Sequence, residues 1–513
     1  MRPELPGFRS ILLVGAIAAV TLSVPGLALA SNQHGPKIDD RVAEAADLAS
    51  STTPIRVIVF GNQTATQDPS LHDQVDVGVA TAGTVEAGQL DAIAADPNVA
   101  FVAPDIPMAP LERPSKATSP GGLQALYPLV DDAPAAWSAG YGGNGIGIAV
   151  VDSGVDQGSL GSRLVASVGQ RNGRDQLGHG TLVAHFAAGN VNGQYVGIAP
   201  QANVVDVTVG GARNDGSVYT SDVVGGLMWV LGHKDQFNIR IVNLSLTETT
   251  PSSYTSSVLD SVVELLWRSG IVVVAAAGNA GPGTEQFAPA NDPFAITVGA
   301  TDSQGTADPS DDTMTPWSSS GLTSDGVLKP DLVAPGRLVT GYLPPGTVLA
   351  QEAPAQNWVA DRIVAINGTS FSAPQVAGAA ADVLQAHPSW TPDQVKADLE
   401  SSGRAQAGST APALDVSAAV FTQGSPAPAN QGVPYSDFGL AQWVRTALTT
   451  QAGWGRMSGQ AGWTHASGQA SWTHSSGQAS WTHASGQASW THTAGQASWT
   501  ACGQASWTGM AWG

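Results

Sequence analysis

The chain has 513 residues, 42% of them hydrophobic and 12% charged, with 41 Asp and Glu against 21 Lys and Arg for a formal charge of -20. That much apolar content excludes a wholly disordered protein, and an acidic surface without a basic patch repels phosphate backbones, which excludes nucleic acid as a partner. The single cysteine, Cys502, excludes an intrachain disulfide and a cysteine-rich metal centre.

In chain order, Arg2 and Arg9 flank a polar start, an apolar run follows over 11–24, and Pro25-Gly26 and Ala28-Leu29-Ala30 close it. This is the pattern of a secretory signal over residues 1–30, cleaved after about Ala30. No later run reaches the ~18 apolar residues of a membrane span, so the chain is expected to be soluble and without a span once the signal is removed. Residues 31–118 hold a strand-like run over 54–60, a helix-like stretch over 86–95 and a second apolar run over 99–102. Together they read as a small α+β unit, followed by a polar, proline-bearing linker over 109–122.

Residues 119–422 alternate strand and helix patterns. Candidate strands fall at 146–151, 204–209, 239–246, 271–276 and 295–298, rich in Val and Ile and mostly without alternation. Strands of that kind are buried on both faces, which predicts an α/β fold with a parallel central sheet flanked by helices. Asp222 is placed to cap a helix running to about Gly232. Thr391-Pro392-Asp393-Gln394 combines a cap, a first-turn proline and a capping box, and predicts a helix that ends near Gly403.

Residues 423–450 read as a linker, Pro/Ala/Gly-rich over 425–434, with a short helix around 441–448. From Gln451 onward Trp454, Trp463, Trp472, Trp481, Trp490 and Trp499 recur every nine residues, Trp507 comes one residue early, and Trp512 follows. The unit is approximately Gly-Gln-Ala-Ser-Trp-Thr-His-Ala-Ser, and Arg456 is the only Lys, Arg, Asp or Glu in the tail. The period is too short for helical solenoids. A thin β-solenoid, repeated turns, or a segment that orders on meeting a partner all fit it.

Four segments carry side chains suited to chemistry. Gly147-Ile148-Ala149-Val150-Val151 leads into Asp152, a carboxylate at the C-terminal end of a buried strand, where open α/β sheets place functional groups. Gly178-His179-Gly180-Thr181 sets a histidine between glycines at a helix start. Gly368-Thr369-Ser370-Phe371-Ser372-Ala373-Pro374 sets a serine where a helix N-terminus favours developing negative charge. Ala275-Ala276-Ala277-Gly278-Asn279 ends a strand in a turn whose asparagine amide is a candidate oxyanion donor. Each segment alone is an ordinary turn or cap, but the four together are not coincidence.

The order Asp152, His179, Ser370 is that of subtilisin. With Gly197-Ile198-Ala199-Pro200 and Lys329-Pro330-Asp331-Leu332-Val333-Ala334-Pro335-Gly336, the chain resembles the subtilisin-like serine proteases (subtilases) over about 123–421. The resemblance implies a peptidase in which Ser370 is the nucleophile, His179 the general base and acid, Asp152 the residue that holds the histidine tautomer, and Asn279 an oxyanion donor. It implies that Ser245, Leu246 and Thr247 form an edge that pairs with extended substrate, with Ala276, Ala277 and Gly278 as the opposite wall. Thr247 stands where the family usually has glycine, which bears on backbone access there. Ala280 and Phe287 near the pocket base carry no charge, which points to apolar side chains at the cleaved position. Leu182 stands where many relatives have a second histidine, and His185, where glycine is common, reads as a packing residue.

By the same resemblance, 31–118 is a propeptide and linker, its residues 31–108 assisting folding and inhibiting until they are cut off between about Pro107 and Gln124. No cofactor is required. Calcium, which many relatives bind, would fall at Asn190-Val191-Asn192-Gly193-Gln194, where amide oxygens are present and carboxylates are not, or elsewhere on the acidic surface. Expected partners are polypeptide substrates, the chain's own propeptide, and cell-wall or glycan polymers through the tail. The expected protein is a secreted endopeptidase made as a zymogen. The alternatives are a narrow-specificity processing peptidase, or a surface- or polymer-binding protein in which the Trp tail is the main activity.

Overall fold

The computed structural model describes residues 37–61, 70–77, 80–110, 124–169, 175–209 and 217–436, with the backbone of strands between residues 461 and 509. The signal segment, residues 111–123, the helix expected around 441–448, and Cys502 lie outside the described residues.

The apolar runs of the body assemble into an eight-stranded sheet. Across it run Thr313–Met314, Ile296–Asp302, Val272–Ala276, Ile239–Leu244, Gly147–Asp152, Asn203–Thr208 and Leu164–Gly169, and Leu332–Pro335 also pairs with Ile296–Asp302. All pairings are parallel except that of Thr313–Met314. Parallel neighbours need crossover connections, which here include the helices Thr220–His233 and Val258–Arg268. Gly147–Asp152 and Val272–Ala276 are buried along their whole length, which is why neither alternates polar with apolar residues. The long helix Thr369–Ala386 packs on the sheet, its first sixteen residues buried.

From Gly147–Asp152 the chain moves to one edge, returns through Asn203–Thr208, and continues on the other side with Ile239–Leu244. A reversal of this kind opens a crevice at the carboxyl ends of the strands, and Asp152 is the last residue of the strand at the reversal. The helix Pro392–Ser402 begins with the Thr391–Gln394 capping box and stops at Gly403, as its sequence predicts. Asp222 lies inside its helix rather than at the cap: the helix starts at Thr220, and Asp222 Oδ2 accepts the Tyr219 N–H at 2.9 Å.

The N-terminal unit is a four-stranded antiparallel sheet in the order His72–Asp76, Ala80–Glu86, Pro54–Gly61, Val99–Pro104. Side chains alternate faces along Pro54–Gly61. Val57 and Val59 pack with Val42, Leu90 and Ile93 of the unit's own helices, whereas Ile58 and Phe60 join the core of the body. After this sheet the chain adds a short strand, Met108–Pro110, antiparallel to Leu246–Glu248 of the body.

Residues 423–436, expected as part of a linker, lie against the body. Ser436 is buried and donates from its N–H and hydroxyl to the Glu264 carboxylate, and Tyr435 stacks on Phe294 with ring centroids 4.2 Å apart. In the tail, Ala461–His465, Gly477–His483 and Gly495–Ala501 form one parallel sheet, and Gly468–His474, Gly486–His492 and Gln504–Gly509 form another. Trp463, Trp481 and Trp499 fall in register, as do Trp472, Trp490 and Trp507. Successive strands alternate between the sheets, which is the backbone pattern of a β-solenoid with two repeats per coil.

Candidate active site

Asp152 ends its strand at the reversal point, and the Asp152 carboxylate meets the imidazole of His179. His179 Nδ1 lies 2.8 Å from Asp152 Oδ1 and 3.0 Å from Oδ2, with both side chains buried. One carboxylate oxygen also accepts the Ser153 N–H at 2.7 Å, which fixes its orientation. His179 opens the helix His179–Ala188, and Gly178 before it has φ 95°, a left-handed conformation suited to glycine. Gly180 is required for another reason. A β-carbon there would run into the Gly154 carbonyl and press on the Asp152 side chain, so only glycine lets the carboxylate and the helix approach.

Asp175 holds this helix start in place. Its carboxylate accepts from the N–H groups of Gly178 and Thr181 and from the hydroxyls of Thr181 and Ser153, at 2.7 to 2.9 Å. Burial pushes the Asp175 carboxyl above its ordinary range, and these four bonds pull it back. Reading the sequence for reactive side chains alone passes over Asp175. Its signal is positional, an aspartate just ahead of a helix start.

Ser370 is the second residue of the helix Thr369–Ala386 and is fully buried. The His179 ring lies 5.5 Å, centroid to centroid, from that of the adjacent Phe371, so the imidazole sits against the start of the serine helix. Nδ1 faces Asp152, so Nε2 lies on the opposite edge of the ring. The Ser370 hydroxyl donates to the Ser245 carbonyl at 3.2 Å, and the Ser245 hydroxyl donates to the Ser370 carbonyl at 2.8 Å. Asn243 Nδ2 in turn donates to Ser245 Oγ at 2.9 Å. Ser245 therefore braces the serine helix, and the paired edge begins one residue later, at Leu246.

Asn279 is held from one side. Its Oδ1 accepts from the Thr369 N–H and hydroxyl, both at 3.1 Å, and Thr369 Oγ1 accepts the Gly278 N–H at 3.1 Å. Fixing the amide by its oxygen turns the Nδ2 donors the other way. Thr369 was not singled out in the sequence, although it adjoins Ser370.

The strand that follows Ser245 is paired with an extended segment of the chain itself. Leu246 pairs with Pro110, Thr247 with Ala109 and Glu248 with Met108. The Met108 N–H donates to the Val218 carbonyl at 2.9 Å, so the segment is held on both sides. Thr247 leaves the ladder open: it pairs with Ala109, and its hydroxyl donates to the Ala288 carbonyl at 3.3 Å. Ala276, Ala277 and Gly278 are buried where the next parallel strand ends, with the Ala277 N–H on the Val298 carbonyl at 3.0 Å. Phe287 is half-buried. His185 is a packed residue: it is buried, stacked on Tyr342 at 4.7 Å, and pushed down to about 3 by burial and by Arg163.

At the 190–194 turn, Asn190 Oδ1 accepts the Gly193 N–H at 2.9 Å, and the Gln194 carbonyl takes the N–H of Gln124 at 2.9 Å. The first bond closes the turn and the second ties it to the segment at Gln124. Among the described residues no group of three or more His, Cys, Asp or Glu side chains is arranged to hold a metal ion. Among the same residues no helix is long and apolar enough to cross a membrane.

Residues 143–425 match the model of the subtilase family. The chain belongs to this family. Serine protease AprX of Bacillus subtilis (strain 168) is 34% identical over 268 residues, 50% of this chain and 60% of the relative. Subtilisin E of Bacillus subtilis (strain 168) is 33% identical over 331 residues, 63% of this chain and 74% of the relative. Alkaline elastase YaB of Bacillus sp. (strain YaB) is 33% identical over 315 residues, 61% of this chain and 70% of the relative. The body is thus a subtilisin-like serine endopeptidase domain, whose substrates are polypeptides.

Proposed function

We propose that the chain is a secreted serine endopeptidase made as a zymogen, with Asp152, His179 and Ser370 as its catalytic triad, Asn279 as an oxyanion donor and residues 31–118 as its propeptide. The observation that carries this reading is the Asp152–His179 pair set against the start of the Ser370 helix, beside an edge strand already paired with an extended peptide. In the reaction the Ser370 hydroxyl turns from the Ser245 carbonyl to His179 Nε2 and loses its proton there as the oxygen attacks the substrate carbonyl. The C=O double bond opens to an oxyanion, which takes hydrogen bonds from Asn279 Nδ2 and the Ser370 N–H. Collapse breaks the C–N bond, His179 returns the proton to the leaving amine, and an acyl-enzyme remains on Ser370 Oγ. Water, deprotonated by His179, repeats the sequence and frees the acid. Asp152 keeps the proton on Nδ1 and stabilises the imidazolium. These steps need no cofactor, and calcium would serve as a structural ion only.

In the zymogen Met108–Pro110 occupies the groove in a substrate-like direction. Labelling with a fluorophosphonate, followed by N-terminal sequencing of the labelled species, tests the reading. The expected result is a label on Ser370 in a chain that begins after Pro107. A Ser370→Ala variant that still hydrolysed casein and cut its own N-terminal unit would overturn it.

The tail carries a further part of the proposal, contact with cell-wall or glycan polymers. In-register parallel strands repeat nearly identical residues at the ~4.8 Å strand spacing, a regular array suited to a regular polymer. Deleting residues 451–513 should abolish polymer retention and leave casein hydrolysis intact. Retention without the tail would remove this part.

A further inference from the structure

Glu248 ends the strand Leu246–Glu248 and is 2% exposed. Its Oε1 lies 2.8 Å from the Thr220 hydroxyl, which shares its one proton with the Ile106 carbonyl at 3.1 Å. Oε2 has no hydrogen-bond partner among the described residues. The register pairs Glu248 with Met108, and residues directly opposite on an antiparallel ladder share a face. Both side chains converge on Thr220, whose Oγ1 is 3.8 Å from Met108 Sδ. The Met108 thioether therefore lies on the same face as an under-satisfied carboxylate, to which it offers no donor.

The balancing charge comes from elsewhere on the N-terminal unit. The Arg41 guanidinium attracts the Glu248 carboxylate, and Arg41 Nη1 is itself buried with no hydrogen-bond partner among the described residues. Burial pushes the Glu248 carboxyl up to about 7, Arg41 and the Thr220 hydroxyl pull it down, and Asp39 and Asp105 push it up again. Once the N-terminal unit leaves, Arg41 leaves with it, and Glu248 faces whichever substrate residue takes the place of Met108.

We propose that Glu248 is a specificity-determining residue of the substrate groove and selects a cationic side chain, Lys or Arg, at the position Met108 occupies. This rests on the peptidase reading above and on the register. Ser370 Oγ lies at the Ser245 carbonyl, so the substrate residue opposite Ser245 carries the attacked carbonyl. The residue opposite Glu248 is then the fourth before the bond that breaks. A cation there supplies charge-assisted hydrogen bonds to a carboxylate that otherwise stays buried and poorly partnered.

The test is the hydrolysis of a peptide series by the processed protein, its N-terminal unit removed and its tail kept, the peptides differing only at that fourth position as Arg, Lys, Met, Leu or Glu. The expected result is a kcat/KM for Arg about tenfold or more above that for Leu, with Glu the poorest. The Arg-to-Leu ratio should fall to about one in both Glu248→Gln and Glu248→Ala, each normalised to its fluorophosphonate-labelled fraction. An active, labelled wild-type protein with no preference for a cation overturns the assignment alone, as does a preference that survives both substitutions. Absence of both cleavage and labelling overturns the peptidase reading and this assignment with it.

Discussion

Asp105 Oδ1 accepts the backbone N–H of Ser221 at 2.9 Å and so joins the N-terminal unit to the first turn of the helix Thr220–His233. The neighbouring Ile106 carbonyl takes the Thr220 N–H at 2.7 Å, and Arg56 pairs with Asp105 Oδ2 at 2.6 Å. The first N–H groups of a helix have no partner inside it, and here the N-terminal unit provides them. The same unit whose last strand pairs with Leu246–Glu248 thus also caps a helix of the body.

Removing this cap should loosen the full-length chain. In a Ser370→Ala background, which the proposed triad makes unable to process itself, Asp105→Ala is expected to cost on the order of 1–2 kcal/mol, because a capping carboxylate is lost and Arg56 loses its partner. A lower urea midpoint for unfolding of the precursor is the readout, with Asp105→Asn intermediate. An unchanged midpoint would show that the cap contributes nothing.

Thr369 should act on catalysis through Asn279. Its N–H and hydroxyl hold Asn279 Oδ1, and only the hydroxyl is lost in Thr369→Ala. That substitution should lower kcat about tenfold with little change in KM, because the donor is misaimed rather than removed. Thr369→Ser should recover most of the rate. Asn279→Ala should cost more, roughly 10²–10³ in kcat, the magnitude measured for loss of such a donor in a subtilisin.

Much of the site was legible because its residues sit at strand ends and helix starts, where local sequence is restrictive. Asp152 follows five buried strand residues, and Ser370 follows the Gly368-Thr369 helix start. The supports were harder to read. Asp175 and Thr369 work through hydrogen bonds to backbone and amide groups that only the folded chain brings together. Glu248 was hidden by distance in the chain: its neighbours Met108, Thr220 and Arg41 come from three separate segments. The docking of residues 423–436 was hidden by composition, since Pro, Ala and Gly signal a linker whether or not aromatic anchors follow.

Glu285 should make stability fall with rising pH. It is 1% exposed, and neither carboxylate oxygen has a hydrogen-bond partner among the described residues. Burial pushes its carboxyl up to about 8, with Lys329 pulling down and Asp331 pushing up, against 4.5 for an unperturbed glutamate. The folded state therefore keeps a proton that the unfolded chain releases. The resulting stabilisation is full below about pH 4.5 and is lost as pH rises to about 8, a change of at most a few kcal/mol. Urea midpoints at pH 5, 7 and 9 in the Ser370→Ala background should fall with pH. The fall should be shallower in Glu285→Gln, which should be the more stable form at pH 9. A variant less stable than its parent at pH 9 would refute this account.

The body should extend past residue 425, where the family match ends. The Ser436 N–H lies 2.8 Å from Glu264 Oε1, its hydroxyl 2.8 Å from Oε2, and the Tyr254 hydroxyl donates to the Pro434 carbonyl at 3.1 Å. Arg268 lies over the Tyr435 ring at 4.9 Å, on a residue already stacked on Phe294. Truncation after residue 425 uncovers Phe294 and leaves the Glu264 carboxylate without the Ser436 donors. It should cost roughly 2–4 kcal/mol, from one lost aromatic contact and two or three hydrogen bonds to a carboxylate. Truncation after Ser436 should cost almost nothing, because every one of these contacts is kept. Thermal unfolding of the two truncated forms, each carrying Ser370→Ala, compares them directly, and equal midpoints would mean that the strap carries no load.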